Sequence, residues 1–164
     1  MTTSNEWHKL PKQIQETIMQ HQKELPVSVG SIAKALGLKV KSSTLKPGIS
    51  GEIRKDGDSY LIKVNRHDVK TRQRFTVAHE IAHFLLHEDK IGDGIVDDVL
   101  YRSSLSDVLE AQANRLAADI LMPMNLIIDR LEFHKKNKKE KRIEIVSKEA
   151  DVSTTALNIR LGQY

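Results

Sequence analysis

The sequence predicts an α+β domain, mostly helical, with a small antiparallel sheet of about three strands. Three observations carry this reading. Apolar residues recur at helical spacing in several separate segments, beginning at Trp7. One stretch, residues 38–64, alternates instead, around the hairpin signal Asp56-Gly57. At 164 residues and 39% hydrophobic content, the chain has the size and composition of a single globular domain.

Residues 6–24 read as one amphipathic helix, with Trp7, Leu10, Ile14 and Ile18 on one stripe and Pro26 beyond its end. Ser28 is placed to cap a short helix from Val29 to Leu36, closed by Gly37. The run from Ile32 to Leu38 has the rhythm either of the first half of a helix-turn-helix or of a helix–glycine–strand joint, and the strand-like residues after it favour the joint. Leu38 to Val40 and Gly51 to Ile53 read as strands on either side of a Pro47-Gly48 turn. Ser59 to Val64 then alternates as the return strand of the hairpin. Asn65 to Val69 is a loop, and a helix begins over Lys70 to Arg74. Glu88 to Asp98, rich in Asp and Gly, reads as an exposed loop. A second long helix runs from an N-cap at Ser106 to a stop at Pro123. The organisation expected is an N-terminal helix (1–24), a main domain (25–133), a basic linker (134–142) and a C-terminal helical pair packed on the domain (143–164).

Composition excludes several classes of function. Cysteine is absent, so there is no disulfide framework and no thiolate metal site. Any metal must be held by histidine and carboxylate, which favours an open, catalytic type of site. Met1 to Lys12 lacks an apolar signal core, and no run approaches the roughly 18 apolar residues of a membrane span. The expectation is a cytoplasmic protein with no membrane partner. The excess positive charge of residues 134–142 about equals that of the whole chain, so the rest is near neutral. With no aromatic residue interleaved to stack on bases, this run reads as a solvated loop before it reads as a nucleic-acid contact.

The chemistry is concentrated in Phe75 to His87, which contains His79-Glu80-x-x-His83 among helically spaced apolar residues. Positions four apart project from nearly one face, about 6 Å apart along the axis. Two imidazoles so placed converge on one small cation, and zinc accepts nitrogen at roughly 2.0–2.1 Å. Glu80 reaches the edge of the same site, where a carboxylate can take a proton from an activated water. Two surface histidines would be the bland alternative, but apolar neighbours imply a buried face, where an unliganded pair is costly.

A catalytic zinc ordinarily takes three protein ligands and a water. His87 is tempting, but His79 to His87 spans about 12 Å of axis, too far for three ligands from one straight helix. It is assigned packing or hydrogen bonding. Asp93, Asp97 and Asp98 are loop carboxylates that could bind but have no rigid support. Glu110 shares a helix face with Asn114 among small residues, suited to ligation with Asn114 bracing the site from behind. Glu110 is therefore the third ligand chosen, although a solvated Glu remains the plain alternative for that residue taken alone.

Two pieces together, Arg74 to His87 and Glu110 to Pro123, resemble the ImmA/IrrE family of bacterial metallopeptidases. Gly51 to Ile53 with its hairpin, and Val152 to Leu161, are similar too, so the resemblance covers about residues 25–162. It implies a gluzincin-like fold, zinc (or another divalent ion such as Mn2+) on His79, His83 and Glu110, and Glu80 as general base. It also implies a protein substrate: a separate helix-turn-helix repressor or antitoxin, whose cleavage relieves repression on a phage, mobile element or stress operon. Tyr101, Arg102 and His67 are candidates for a second oxyanion or substrate donor. Two other classes stay open. One is a metal-bound, toxin-like module that grips such a partner without cutting it. The other is a DNA-binding regulator, since Ile145 to Leu161 has helix-turn-helix rhythm with Ser153 as a cap and Arg160 as a contact.

Overall fold

Pro11 decides how the chain enters the fold. A computed structural model describes residues 3–162. The single helix expected over 6–24 is two helices, α1 (Asn5–His8) and α2 (Lys12–Met19), broken where Pro11 stands as N-cap of the second. Proline lacks the N–H that would continue the ladder and clashes with the preceding turn. Trp7, Leu10 and Ile18 still reach the core. The next helix, α3 (Val29–Ala35), starts after Ser28, whose hydroxyl bonds Ser31 Oγ at 2.7 Å and makes no cap bond to the backbone. Gly37 follows at φ 79°, a conformation glycine adopts freely.

The sheet has four strands, β1 (Lys39–Ser43), β2 (Ile49–Asp56), β3 (Ser59–Asn65) and β4 (Ile95–Asp98), in the order β1-β3-β2-β4. The Asp56-Gly57 signal makes the β2–β3 hairpin, with Asp56 paired to Ser59 across a two-residue loop. The expectation of about three antiparallel strands is corrected in two respects. β1 runs parallel to β3, and β4 adds a fourth strand antiparallel to β2. β4 also overturns the exposed loop expected over Glu88 to Asp98. The helix continues to Ile91, a turn is made at Gly92 (φ 49°) and Gly94 (φ 143°), and Ile95 and Asp97 then point inward. Local composition looked like a loop; pairing with β2 and burial of Ile91 and Ile95 decided otherwise.

One face of the sheet is covered by α4 (Lys70–Ile91), which in turn packs along α5 (Asp107–Leu121). Ser106 caps α5 by accepting from Leu109 N–H at 3.3 Å. The fully buried Ala113 and Ala117 let the two helices lie close. Gly51 in β2 does the same for the sheet, since a Cβ there would collide with Thr76 Cγ2 of α4.

The remaining helices are α6 (Met124–Phe133), α7 (Lys139–Ala150) and α8 (Thr154–Arg160). The basic linker expected over 134–142 is shorter, because α7 already begins at Lys139. Lys141 and Lys148 pair with Glu144 at 3.5 and 3.3 Å, charges spaced by three and four residues along the helix. Between α7 and α8, Asp151 takes a left-handed turn at φ 53°. Arg160, the basic residue offered as a DNA contact, is turned inward. Its guanidinium pairs with the fully buried Asp119 of α5 at 2.8 Å and donates to the Met122 carbonyl at 3.0 Å. Ser4 also donates to Asp119, through its hydroxyl and its N–H. No helix among the described residues is long and apolar enough to cross a membrane.

Candidate metal centre

Helical spacing puts His79 and His83 one turn apart on the face of α4 that meets α5, and both are wholly buried. Their rings stand edge to face with Nε2 atoms 3.0 Å apart. Glu110, from the first turn of α5, brings Oε2 to 3.1 Å from His79 Nε2 and 3.3 Å from His83 Nε2. Ligands bound tetrahedrally at about 2.0 Å lie about 3.3 Å from one another. The three spacings match the edges of such a shell, so the residues present fit a single divalent ion.

The outward-facing nitrogens fix which way the lone pairs point. His79 Nδ1 donates to Asn114 Oδ1 at 2.9 Å, leaving Nε2 free to accept a cation. His83 is set by a relay. His87 Nε2 donates to Gln112 Oε1 at 2.9 Å, so its Nδ1 is the accepting nitrogen, 3.0 Å from His83 Nδ1. His83 must then carry its proton on Nδ1 and aim the Nε2 lone pair inward. His87 reaches this position because its backbone leaves the helical region (φ −131°, ψ 32°). Ser103 donates to the other Glu110 oxygen at 2.6 Å.

Electrostatics agree with a site built for positive charge. Burial opposes a charged His79, but the Asp97 and Glu110 carboxylates outweigh it and raise the imidazole to about 9. Burial alone would raise Glu110; hydrogen bonds to His79, His83 and Ser103 instead hold it well below the ordinary carboxylate range. Glu80 is wholly buried, with neither oxygen hydrogen-bonded. Burial first, and then the Asp97, Glu110 and Glu52 carboxylates, push it well above its ordinary value.

Of the three donor candidates, the structure brings only Tyr101 beside the cluster. Its ring lies 4.9 Å from that of His79 and its hydroxyl is 3.3 Å from Thr76 Oγ1. Asp98 arranges this, accepting from the N–H groups of Leu100 and Arg102 and holding a tight loop in which Tyr101 takes φ 55°. Arg102 spends its guanidinium on Asp98 at 3.0 Å, and His67 bonds Thr44 at 3.4 Å. Asp97, set aside in the sequence as a loop carboxylate without rigid support, gains that support from β4, which carries it into the cluster. His79, His83, Asp97 and Glu110 each offer one ligand atom within 4.8 Å of the others. The signal for it was the pair Ile95-x-Asp97, a strand alternation hidden behind two glycines.

Comparison with known proteins bears on the same segments. Over 110 residues, 66% of this chain and 38% of the relative, the sequence is 35% identical to the radiation response metalloprotease IrrE of Deinococcus deserti. Over 79 residues, 47% of this chain and 24% of the relative, it is 38% identical to the protein of the same name from Deinococcus radiodurans. The matched segments thus span well under half of either relative. The profile of the peptidase M78 family, described as the IrrE N-terminal-like domain, matches residues 33–162. That span holds α4, β4, α5 and every side chain of the buried cluster, and the chain belongs to the IrrE N-terminal-like domain family.

Proposed function

We propose that this chain is a zinc-dependent endopeptidase that cleaves a separate helix-turn-helix repressor or antitoxin and so relieves repression. The observation that carries the reading is the buried convergence of His79 Nε2, His83 Nε2 and Glu110 Oε2, with the Glu80 carboxylate held in the same pocket without a hydrogen-bond donor. The relatives, both named metalloproteases, support the reaction class. The choice of substrate rests on the resemblance set out from the sequence.

His79, His83 and Glu110 are the groups that would hold the ion. A bound divalent ion supplies Lewis acidity, lowering the pKa of a water and polarising a peptide carbonyl. Nitrogen and carboxylate donors suit zinc, and manganese is the alternative such donors also accept. Glu80 takes the proton of the attacking water and returns it to the leaving amine nitrogen. A carboxylate at the edge of the ion's site can make both transfers. Tyr101, whose ring lies 4.9 Å from that of His79, is the proposed donor to the developing oxyanion. Asn114 and the His87–Gln112 pair keep both imidazoles in the accepting tautomer.

The test is incubation of the zinc-loaded chain with candidate repressors, followed on a gel. Wild type yields new fragments; Glu80→Gln retains zinc and loses at least about 10²-fold in cleavage. Cleavage that persists in Glu80→Gln refutes the mechanism, and a stable intact complex with wild type favours a non-cleaving partner. DNA binding is not favoured, because Arg160 is directed into the fold.

A further inference from the structure

A strand of four residues sends alternate side chains to opposite faces. In β4 this buries Ile95 and Asp97 and exposes Val96. Asp97 is fully inaccessible, neither of its oxygens meets a hydrogen bond of good geometry among the described residues, and its polar neighbours are the inward nitrogens of His79 and His83 and the Glu80 carboxyl. Two carboxylates, Asp97 and Glu110, and the Glu80 carboxyl crowd around only two imidazoles, and a buried cluster with that excess of acid calls for a cation. The nitrogens nearest to it are His79 Nε2, 3.3 Å from Oδ1, and His83 Nε2, 3.8 Å from Oδ2. Those are the inward atoms, the same ones that face Glu110. A carboxylate that merely orients a metal-binding histidine bonds the opposite nitrogen. Here the opposite nitrogens are already taken, by Asn114 and His87. Asp97 therefore stands on the side of the ion, and its 3.3 Å from His79 matches the tetrahedral edge of about 3.3 Å expected for ligands of one zinc.

We infer that Asp97 is a fourth protein ligand, completing a shell of two imidazoles and two carboxylates, so that the resting centre is closed and Asp97 must cede its place before water or a peptide carbonyl can enter. This rests on the metal centre proposed above and goes beyond it. An open centre has three protein ligands and is ready at once, whereas a four-ligand centre is ordinarily structural. Displacement of one carboxylate on a short edge strand would convert the second kind into the first. The neighbouring Glu80 is then served twice: a cation neutralises Asp97, and departure of Asp97 leaves room beside the base.

The experiment uses the full chain stripped of metal. Zinc affinity is measured by competition with a chromophoric chelator for wild type, Asp97→Asn and Glu110→Gln. The visible spectrum of each protein loaded with Co2+ is recorded with and without azide as an exogenous ligand. Asp97→Asn is expected to bind zinc at least about tenfold more weakly, the scale of even an outer-shell loss. Its Co2+ spectrum should differ from wild type and respond to azide at concentrations that leave wild type unmoved. Equal zinc affinity with an identical spectrum and azide response overturns the inference. So does an immediate azide shift in wild type, a measurement that needs no variant to fold. If wild type binds zinc no better than Glu110→Gln does, the metal centre itself is refuted, a different result from the loss of Asp97 alone.

Discussion

Replacing His87 by leucine tests whether the relay behind His83 matters. The ring accepts from His83 Nδ1 at 3.0 Å and donates to Gln112 at 2.9 Å, and it is buried. Leucine fills similar space but accepts nothing, so the His83 N–H is stranded in the core at a cost of roughly 1–3 kcal/mol. His83 recovers that cost only by moving its proton to Nε2 or turning its ring, and either change removes the lone pair from the centre. Losses behind a ligand typically weaken metal binding about 10–100-fold, which corresponds to roughly 1.4–2.7 kcal/mol. The two routes to a magnitude agree. Zinc competition against a chelating dye reads the effect directly, with thermal melting of the metal-free protein as the check on folding. His87→Gln should recover most of the affinity, because its amide oxygen can accept from His83. The reasoning fails if His87→Leu folds and binds zinc as wild type does, or if His87→Gln is as weak as His87→Leu.

Two further outcomes follow from the packing and the charges. Gly51→Ala places a methyl against Thr76 Cγ2 and 3.0 Å from the Lys63 carbonyl, and should destabilise the fold by about 1–3 kcal/mol in urea denaturation. Adding Thr76→Ser deletes the colliding methyl and should restore part of that loss; full additivity of the two changes would contradict the contact. Glu6 is held down to about 2 by its hydrogen bonds to Arg115, against an ordinary 4.5. A carboxylate depressed in the folded state stabilises above its unfolded pKa and loses that contribution as pH falls through the folded value. The Glu6 contribution should therefore be level above about pH 4.5 and decline from there to about pH 2. The part due to Glu6 is about 1–3 kcal/mol, below the full shift because Arg115 is 53% exposed. Wild type minus Glu6→Gln, measured across that window, should isolate it, and parallel curves would remove the ion pair from the account.

How much of this was legible in the sequence differs sharply between elements. The two helices that build the cluster announce themselves: His79, His83 and Glu110 lie in long helical segments whose spacing sets which side chains share a face. The distance along a helix also explains why His87 stands behind the centre rather than in it. β4 was barely legible, because the alternation of Ile95 and Asp97 is only four residues long and follows Gly92 and Gly94, and its strand character comes from pairing with residues more than forty positions earlier. The parallel pairing of β1 with β3 is hidden for the same reason. The break at Pro11 was available to local reasoning, since proline inside an amphipathic pattern is a sufficient signal.

Asp119 sits nine residues after Glu110 on α5, about 13 Å along one rigid rod, and there it fastens Ser4 from one flank and Arg160 from the other. Asp119 thereby ties the start of the chain and α8 to the same helix that carries Glu110, so three stretches far apart in sequence are fastened to one element.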